Sequence, residues 1–526
     1  MGAFYSESSG NGKTSNGSAH ASPTVVRSYA PATGELLAEI PVTSNDEVSR
    51  VIARARRAQK AWSVLPVAER AWRLLRLRDA FVEHADEIVE VIARECGKPR
   101  HEALVHEVST CLEVATFFCA HAPKLLAAER VGGHWLEHRR SFVRHVPRGV
   151  VGILAPWSFP FIAPMERVFL ALLAGNGVVV KPSEVTPLVL RKAKEIYDTT
   201  GLPEDLFGVV YGFAPTGQAL IDYGVDKVVF TGSSATAKRV ASACGARLIP
   251  CEVHVGGNTP LIACDDADLE RTARAVVYGG FANLGQTCIS VERVYAHEQV
   301  YVALLARVRD LVGALRQGDP SRDYVDLGAI IFAGQIEIAE RHVDDALRRG
   351  GELVCGGRRG PGIGPFFEPT VLGGCDASML AMNEPTFGPV VAFQKVSTDD
   401  EAVARANGSG PMGAAYVFTR DRRRGARLGE RLVADSVVVN DVLVSYAAPE
   451  PFLGAGRVPG LGRLPATDAL LAMTERRTLS TERLATGQLV WFPYTVGRFH
   501  WLQRGIRALY APGGFWRKLR RTQGGL

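Results

Sequence analysis

The strongest constraint on the fold is a repeated pattern of short, uninterrupted apolar runs, each followed within a few residues by text of helical period. Val150-Val151-Gly152-Ile153-Leu154 is one run, Gly177 to Val180 precedes a helix near Pro187 to Thr199, and Val228-Val229-Phe230 precedes a helix near Ala235 to Cys244. A strand that is apolar at every position must be covered on both faces. Repeated strand-then-helix units therefore predict an α/β fold built on a parallel, doubly wound sheet. A second α/β run follows from about Val255 to Ala434, with helical text at Leu269 to Asn283 and Val300 to Leu315. Upstream, Asn45 to Ala128 reads as amphipathic helices: Val51, Ala55, Ala58 and Trp62 share one face, and Leu74, Leu75, Leu77, Phe81 and Val82 another. Arg139 to Val151 alternates and is β-branched, which predicts an exposed strand or hairpin.

At 526 residues the chain exceeds what one core usually takes, so two or three domains are expected. Its net charge of +6 is a property of one end: Trp491 to Leu526 holds seven Arg or Lys and no acid, and the residues before it hold 54 basic against 55 acidic. A neutral body excludes a nucleic-acid enzyme, whose cations would spread over a binding face. Nine cysteines form no CxxC pair and sit mostly among apolar neighbours, which points to free thiols, a reducing cytoplasmic setting and no metal site. Met1 to Pro23 is too polar to bury and reads as a disordered leader, not a secretory signal. Met1-Gly2 with Ser6 fits the N-myristoylation pattern, a pattern short enough to arise by chance. The longest uncharged stretch, Gly149 to Met165, carries Pro156, Pro160 and Pro164, which would break a spanning helix.

Four places carry chemistry. Lys181-Pro182-Ser183-Glu184 follows an apolar strand, where open α/β sheets bind ligands, and a Lys and a carboxylate three apart can hold two ribose hydroxyls; the bland alternative is a solvated turn. Phe230-Thr231-Gly232-Ser233 is a glycine turn between strand and helix whose N–H groups suit a phosphate, although it is not GxGxxG. Gly285-Gln286-Thr287-Cys288 puts a cysteine in a loop after a glycine turn, the position of a nucleophile, whereas the other eight read as structural. His254-Val255-Gly256-Gly257-Asn258 puts a histidine before paired glycines at a strand end, and a lone histidine is more often simply hydrogen-bonded.

The order and separation of these pieces, with Pro156-Trp157-Ser158-Phe159-Pro160, Ala174-Gly175-Asn176, Phe387-Gly388-Pro389 and Val439-Asn440-Asp441, resembles the NAD(P)-dependent aldehyde dehydrogenase superfamily from about residue 28 to 480. The resemblance implies a Rossmann-like cofactor domain, a catalytic α/β domain and a small β oligomerisation element. Mapped onto this chain, these are a leader at 1–24, a cofactor domain at 25–254 interrupted by oligomerisation strands at about 133–147, a catalytic domain at 255–435, a return to the cofactor domain with an oligomerisation strand at 436–485, and a tail at 486–526. It implies Cys288 as nucleophile, a thioester intermediate and a homodimer or homotetramer. Cofactor contacts are implied at Pro156, Trp157, Lys181, Ser183, Glu184, Thr231, Gly232, Ser233, Gly256 and Phe387. A carboxylate at Glu184 would repel a 2′-phosphate, so NAD is expected rather than NADP.

The sequence departs from the family pattern where chemistry is most demanding. Ser158 stands where an Asn amide donates to the oxyanion, and His254 where hydrolytic members carry the Glu that activates water. Losing one oxyanion donor costs on the order of 3 kcal/mol. A neutral imidazole can still take a proton near pH 7, and Glu252, two residues earlier, could substitute only if the strand rearranged. Pro385 replaces the Glu that holds the nicotinamide ribose, with Glu384 one position off; Ala237 replaces a glycine four after Ser233; Pro451-Phe452-Leu453-Gly454 replaces Pro-Phe-Gly-Gly. Three readings follow: an NAD-dependent aldehyde dehydrogenase using Cys288, Ser158 and His254; a catalytically degenerate scaffold or NAD-binding protein; and a coenzyme A-acylating enzyme, in which a thiol replaces water.

From Trp491 to Trp516 eight aromatics accompany the basic residues, with Phe499, Leu502, Ile506 and Leu509 on one helical face and Arg498, Arg504 and Arg507 elsewhere. A basic, aromatic amphipathic helix can lie in a membrane interface, so peripheral membrane contact through 491–521 and a long, apolar aldehyde form one expectation. Packing of the extension on the body or a neighbouring subunit is the other.

Overall fold

The computed structural model describes residues 23–131, 139–322, 324–408, 412–444, 466–482 and 491–510. The leader to residue 22, Pro451 to Gly454 and the tail beyond 510 lie outside the described residues. By packing the chain divides into two units, residues 1–127 with 145–476, and 128–144 with 477–526.

Strands are numbered in chain order. In the larger unit β1 (Val25–Tyr29) and β2 (Leu36–Pro41) form an antiparallel hairpin. Strands β3 (Glu129–Val131) and β4 (Arg139–Pro147) pair antiparallel and belong to a separate sheet described below. Then β5 (Val150–Leu154), β6 (Gly177–Lys181), β7 (Phe207–Val209), β8 (Lys227–Gly232) and β9 (Cys251–Val255) build a parallel sheet in the order β7-β6-β5-β8-β9. Period-two alternation explains why these strands are apolar throughout. Val151 and Ile153 join the core that holds helices Val67–Glu83, Thr110–Leu125 and Ile162–Leu173, whereas Val150 and Leu154 join the core under Asn45–Ser63, Ala214–Asp222 and Ser234–Ala246. The chain builds outward from β5 to β7 and returns to the other side of β5 with β8, so the order reverses between β5 and β8. Crevices form beyond the carboxyl ends of strands at such a reversal.

The second sheet contains β10 (Thr259–Ala263), β11 (Val291–His297), β12 (Glu352–Cys355), β13 (Thr370–Gly373), β14 (Val390–Val396), β15 (Met412–Phe418) and β16 (Ala434–Val439). Its order is β12-β13-β14-β11-β10-β15-β16, parallel except for β12. Strand β16 pairs with β15 and carries this sheet four residues past the boundary drawn at 435. Only Gly256, Gly257 and Asn258 separate β9 from β10, so the second sheet is hung directly from the edge of the first.

Helical text from Asn45 to Ala128 forms several helices. Leu74, Leu77 and Phe81 are buried, but Val82, assigned to the same face, is exposed, because the buried stripe of Val67–Glu83 is narrower than the apolar text. Helix Arg100–Leu125 has 26 residues and is long and apolar enough to cross a membrane by length and composition, yet Cys111, Val114, Phe118 and Ala122 pack into the core. It contains a π-helical stretch, Ala103–Ser109. The strand text from Arg139 to Val151 splits in two: β4 ends at Pro147, and Val150 opens the fully buried β5 of a different sheet. In the smaller unit β17 (Thr474–Glu482) joins β4 and β3 in the order β17-β4-β3, with Ser141 and Ser480 hydroxyls 2.9 Å apart, and Val496–Tyr510 forms the helix of the tail.

Candidate active site

The segment before Cys288 turns three times through the left-handed region: φ is 50° at Asn283, 54° at Leu284 and 69° at Gly285. A Cβ on Gly285 would lie 2.3 Å from the Gly388 carbonyl oxygen, so glycine is required by both conformation and space. Left-handed Asn and Leu cost about 1 kcal/mol or more each, and a dense set of bonds holds them. The Asn283 amide donates to the carbonyls of Ser158 (3.1 Å) and Gln286 (3.0 Å), and the Asn283 N–H donates to Glu102 (2.8 Å). Gln286 donates to the Asn283 carbonyl at 2.9 Å and accepts from the Ile331 N–H at 2.9 Å. The chain is thereby forced to present Cys288 outward while residues 281–287 stay buried. Among the nine free cysteines Cys288 is exposed, Cys251 and Cys355 are half-buried and the others buried. Crowding by protein pushes the Cys288 thiol up, opposed by its own N–H and by the Thr287 hydroxyl. A thiol raised in this way needs a base to become a nucleophile.

Around it stand three of the residues singled out from the sequence. A Cβ on Gly256 would be 3.6 Å from the Cys288 Cα and 3.6 Å from the Phe387 ring. The Trp157 and Phe387 rings meet edge to face at 5.5 Å. Phe387 itself is left-handed, with φ 48°, and is fixed by the buried Glu292, whose carboxylate accepts from the N–H groups of Thr386 (2.7 Å) and Phe387 (3.1 Å). Burial raises the Glu292 carboxyl to about 7 against those two bonds.

Ser158 lies in the loop after β5. Its carbonyl accepts from Lys98 at 3.1 Å as well as from Asn283. Lys98 is paired with Glu107, both side chains fully buried. The second oxygen of Glu107 accepts from the N–H groups of Phe161 (2.9 Å) and Ile162 (3.1 Å), capping helix Ile162–Leu173. The π-helical turn is what brings Glu107 there. The Ser158 hydroxyl has no hydrogen-bond partner among the described residues, so its proton is uncommitted. His254, on β9, places Nε2 2.8 Å from Oε1 of Glu252, which also faces Arg167 at 3.3 Å and Lys227 at 2.9 Å. Glu252 is therefore engaged by two cations and by the His254 ring and is not available as a base.

The remaining candidates share the carboxyl edge of the parallel sheet. Pro156 and Trp157 follow β5; Lys181, Ser183 and Glu184 end or follow β6; Thr231, Gly232 and Ser233 end or follow β8; Gly256 follows β9. The Lys181 ammonium donates to the carbonyls of Pro182 (2.8 Å) and Gly212 (2.7 Å) and lies 3.4 Å from Glu184. Desolvation lowers the Lys181 pKa. Ser233 caps helix Ser234–Ala246 through the Thr236 N–H, leaving the first N–H groups of that helix for an anion. An ammonium and carboxylate at the end of β6 with a helix N-terminus at the end of β8, on the other side of β5, match a ribose and a pyrophosphate, so the donor set fits a nicotinamide dinucleotide. Glu384, one position from the expected ribose ligand, instead directs its carboxylate to Arg341 at 3.1 Å. Ala237 packs in the core between its helix and the sheet.

Two motifs are architectural. Asn176 accepts from the N–H groups of Arg148 (2.8 Å) and Gly149 (3.0 Å) and donates to the carbonyls of Ala171 (3.0 Å) and Met473 (2.9 Å). Asn440, left-handed at φ 62°, bonds both backbone groups of Thr419. Lys98, Glu107, Asn283, Glu292, Arg167 and Lys227 were not among the residues read from the sequence. Glu292 had a signal, a carboxylate inside the apolar text of β11; the others act through tertiary contacts with none.

The aldehyde dehydrogenase family model matches residues 18–479. A protein of Mycolicibacterium smegmatis with the provisional name succinate-semialdehyde dehydrogenase (NADP(+)) is 37% identical over 458 residues, covering 86% of this chain and 88% of its own. The 4,4′-diapolycopene aldehyde oxidase of a Methylomonas species is 31% identical over 512 residues, 95% of this chain and 94% of its own. The crystal structure of a Mycobacterium tuberculosis aldehyde dehydrogenase complexed with NAD+ superposes with a TM-score of 0.82 at 30% identity, covering 86% of this chain and 94% of that one.

Proposed function

The chain belongs to the aldehyde dehydrogenase family, and from that premise we propose that it oxidises a long, apolar aldehyde to the carboxylic acid through a thioester on Cys288, with NAD as the hydride acceptor. The observation that carries the reading is the exposed cysteine beside Gly256, which also neighbours the Phe387 ring, at the sheet edge that Trp157, Lys181 and Ser233 share.

In this reading His254 draws the proton from Cys288, and the thiolate adds to the aldehyde carbon. The oxyanion that forms takes hydrogen bonds from the Cys288 N–H and the Ser158 hydroxyl, whose backbone is held by Lys98 and Asn283. Lys181 and Glu184 would hold a ribose of NAD and the Ser233 turn its pyrophosphate, and the nicotinamide, when bound, would supply the acceptor for the aldehydic hydride. The imidazolium then gives the Cys288 proton to solvent; water attacks the thioester carbon as the neutral His254 takes its proton, the C–S bond breaks, the acid leaves, and the imidazolium returns that proton to the Cys288 thiolate. Glu184 favours NAD because its carboxylate repels a 2′-phosphate.

The apolar substrate is supported by two features. The described tail exposes Trp491, Phe492, Tyr494, Phe499, Trp501 and Ile506 beside Arg498, Arg504 and Arg507. The share of chain outside the match to the diapolycopene aldehyde oxidase is smaller than the tail from Trp491, so that match reaches into it. Diapolycopene is a polyene hydrocarbon, an aldehyde of which partitions into lipid, and a tail of this composition holds an enzyme at that surface.

The test is NAD(P)H formation by purified protein with long-chain and polyenic aldehydes, short aldehydes and succinate semialdehyde, with NAD or NADP, with and without coenzyme A. Turnover of the long substrates with NAD alone, lost in Cys288→Ala, supports the reading. Turnover only with coenzyme A assigns an acylating enzyme; preference for succinate semialdehyde overturns the apolar substrate; no turnover by folded, NAD-binding protein points to a scaffold.

A further inference from the structure

Strand β9 places Glu252 and His254 two residues apart, on the same face. Their side chains meet at 2.8 Å through Nε2 and Oε1. Glu252 is 2% exposed, in surroundings that ordinarily protonate a carboxyl. Two cations oppose this: Arg167 from helix Ile162–Leu173 at 3.3 Å and Lys227 from the start of β8 at 2.9 Å. Glu166 balances Arg167 at 3.5 Å. Burial works to raise the Glu252 carboxyl, but Arg167, His254 and Lys227 together hold it well below the usual carboxylate range. Glu252 is thus a permanent buried anion, and the one ring atom of His254 that touches it is Nε2.

We infer that Glu252 is the positioning residue that converts His254 into the base of the site. The carboxylate accepts the Nε2–H, which fixes the neutral tautomer and leaves Nδ1 with its lone pair as the proton acceptor. No partner of Nδ1 appears among the described residues. Gly256, two residues further along the chain, abuts Cys288, so the imidazole is delivered about two residue rises, ~7 Å along the chain, from that contact. When the attacking water adds its oxygen to the thioester carbon, its proton passes to Nδ1, and the imidazolium so formed is stabilised by the adjacent carboxylate. Nothing else is transferred: Glu252 keeps its charge throughout, and Arg167 and Lys227 keep it from taking the proton itself. Arg167 also belongs to the helix that opens at the Ser158 loop, so the oxyanion side and the base side of the site are tied through one guanidinium.

This inference rests on His254 acting as the base, and the experiment separates the two. In rapid-mixing assays with NAD and a long-chain aldehyde, Glu252→Gln is expected to slow the first-turnover NADH burst and to lower steady-state kcat tenfold or more, since His254 is the base of both halves of the reaction. Glu252→Asp restores part of the loss, and Glu252→Gln combined with His254→Ala is no slower than His254→Ala alone. In ¹⁵N-histidine-labelled wild type, the resonances absent from His254→Ala should show a proton on Nε2; this reading needs no Glu252 variant to fold. An Nδ1–H tautomer, or Glu252→Gln with wild-type kcat beside a slow His254→Ala, overturns the positioning role alone. A fast His254→Ala overturns the assignment of the base.

Discussion

The carbonyl oxygen of Ser158 accepts a 3.1 Å hydrogen bond from the amide of Asn283. The loop that would supply an oxyanion donor and the loop that presents Cys288 are therefore one mechanical unit. Asn283→Ala removes that bond and the one to Gln286, and it leaves Ala at φ 50°. A loss of about 3 kcal/mol of stability and at least tenfold in kcat is expected. Asn283→Gly, which tolerates the angle, should recover stability more than activity. Thermal unfolding and steady-state kinetics of the two variants check this.

Cys288 is the exposed thiol, and six of the other eight are buried. Limiting iodoacetamide should modify Cys288 first, and peptide mapping should find Cys251 and Cys355 only at longer times. Because crowding by the surrounding protein raises the Cys288 thiol, the rate should climb steeply between neutral and alkaline pH. A rate already saturated at pH 6 would contradict a raised thiol.

The fold was legible because β5, β6 and β8 are apolar at consecutive positions, which only a sheet covered on both faces allows. Cys288, Trp157, Gly256 and Phe387 could be paired with one another only through the family resemblance, since their contacts join separate strands and loops, from Gly256 and Cys288, 32 residues apart, to Trp157 and Phe387, 230 apart. What held them was not legible. Glu107 reaches its helix cap from a π-helical turn, and Asn283 from a left-handed backbone; neither leaves a periodic trace in sequence. Arg139 to Val151 misled because a strand pattern says nothing about which sheet each half joins, and the Pro147-Arg148-Gly149 break is where they part. Glu252 could serve as a base only if its strand rearranged, and the cations that occupy it instead, Arg167 and Lys227, reach it through tertiary contacts that leave no mark in the local sequence.

Glu184 sits 3.4 Å from Lys181 at the mouth of the β6 end, with its carboxylate partly in solvent. Glu184→Gln removes the charge proposed to repel a 2′-phosphate and leaves Lys181 with its two carbonyl partners and no carboxylate. The ratio of kcat/KM for NADP over NAD should rise about tenfold, equivalent to ~1.4 kcal/mol. An unchanged ratio would place cofactor discrimination elsewhere.

Glu95 offers a pH test away from the reacting atoms. It is buried, accepts from the Ser28 hydroxyl and from the Leu188 and Val189 N–H groups, and is raised by desolvation to about 7. A carboxyl raised on folding binds its proton more tightly in the native state, so its contribution is complete below the unfolded value near 4.5 and is lost as pH rises through 7. Glu95→Gln cannot titrate. It should be less stable than wild type at pH 4.5, because an amide nitrogen now faces one of the two N–H donors. The gap should then narrow by up to about 3 kcal/mol between pH 4.5 and 7 as the wild type must either keep an uncharged carboxyl or bury a charge. Denaturant unfolding of both proteins across that interval measures it, and a gap independent of pH would mean that Glu95 is ionised in the native state throughout.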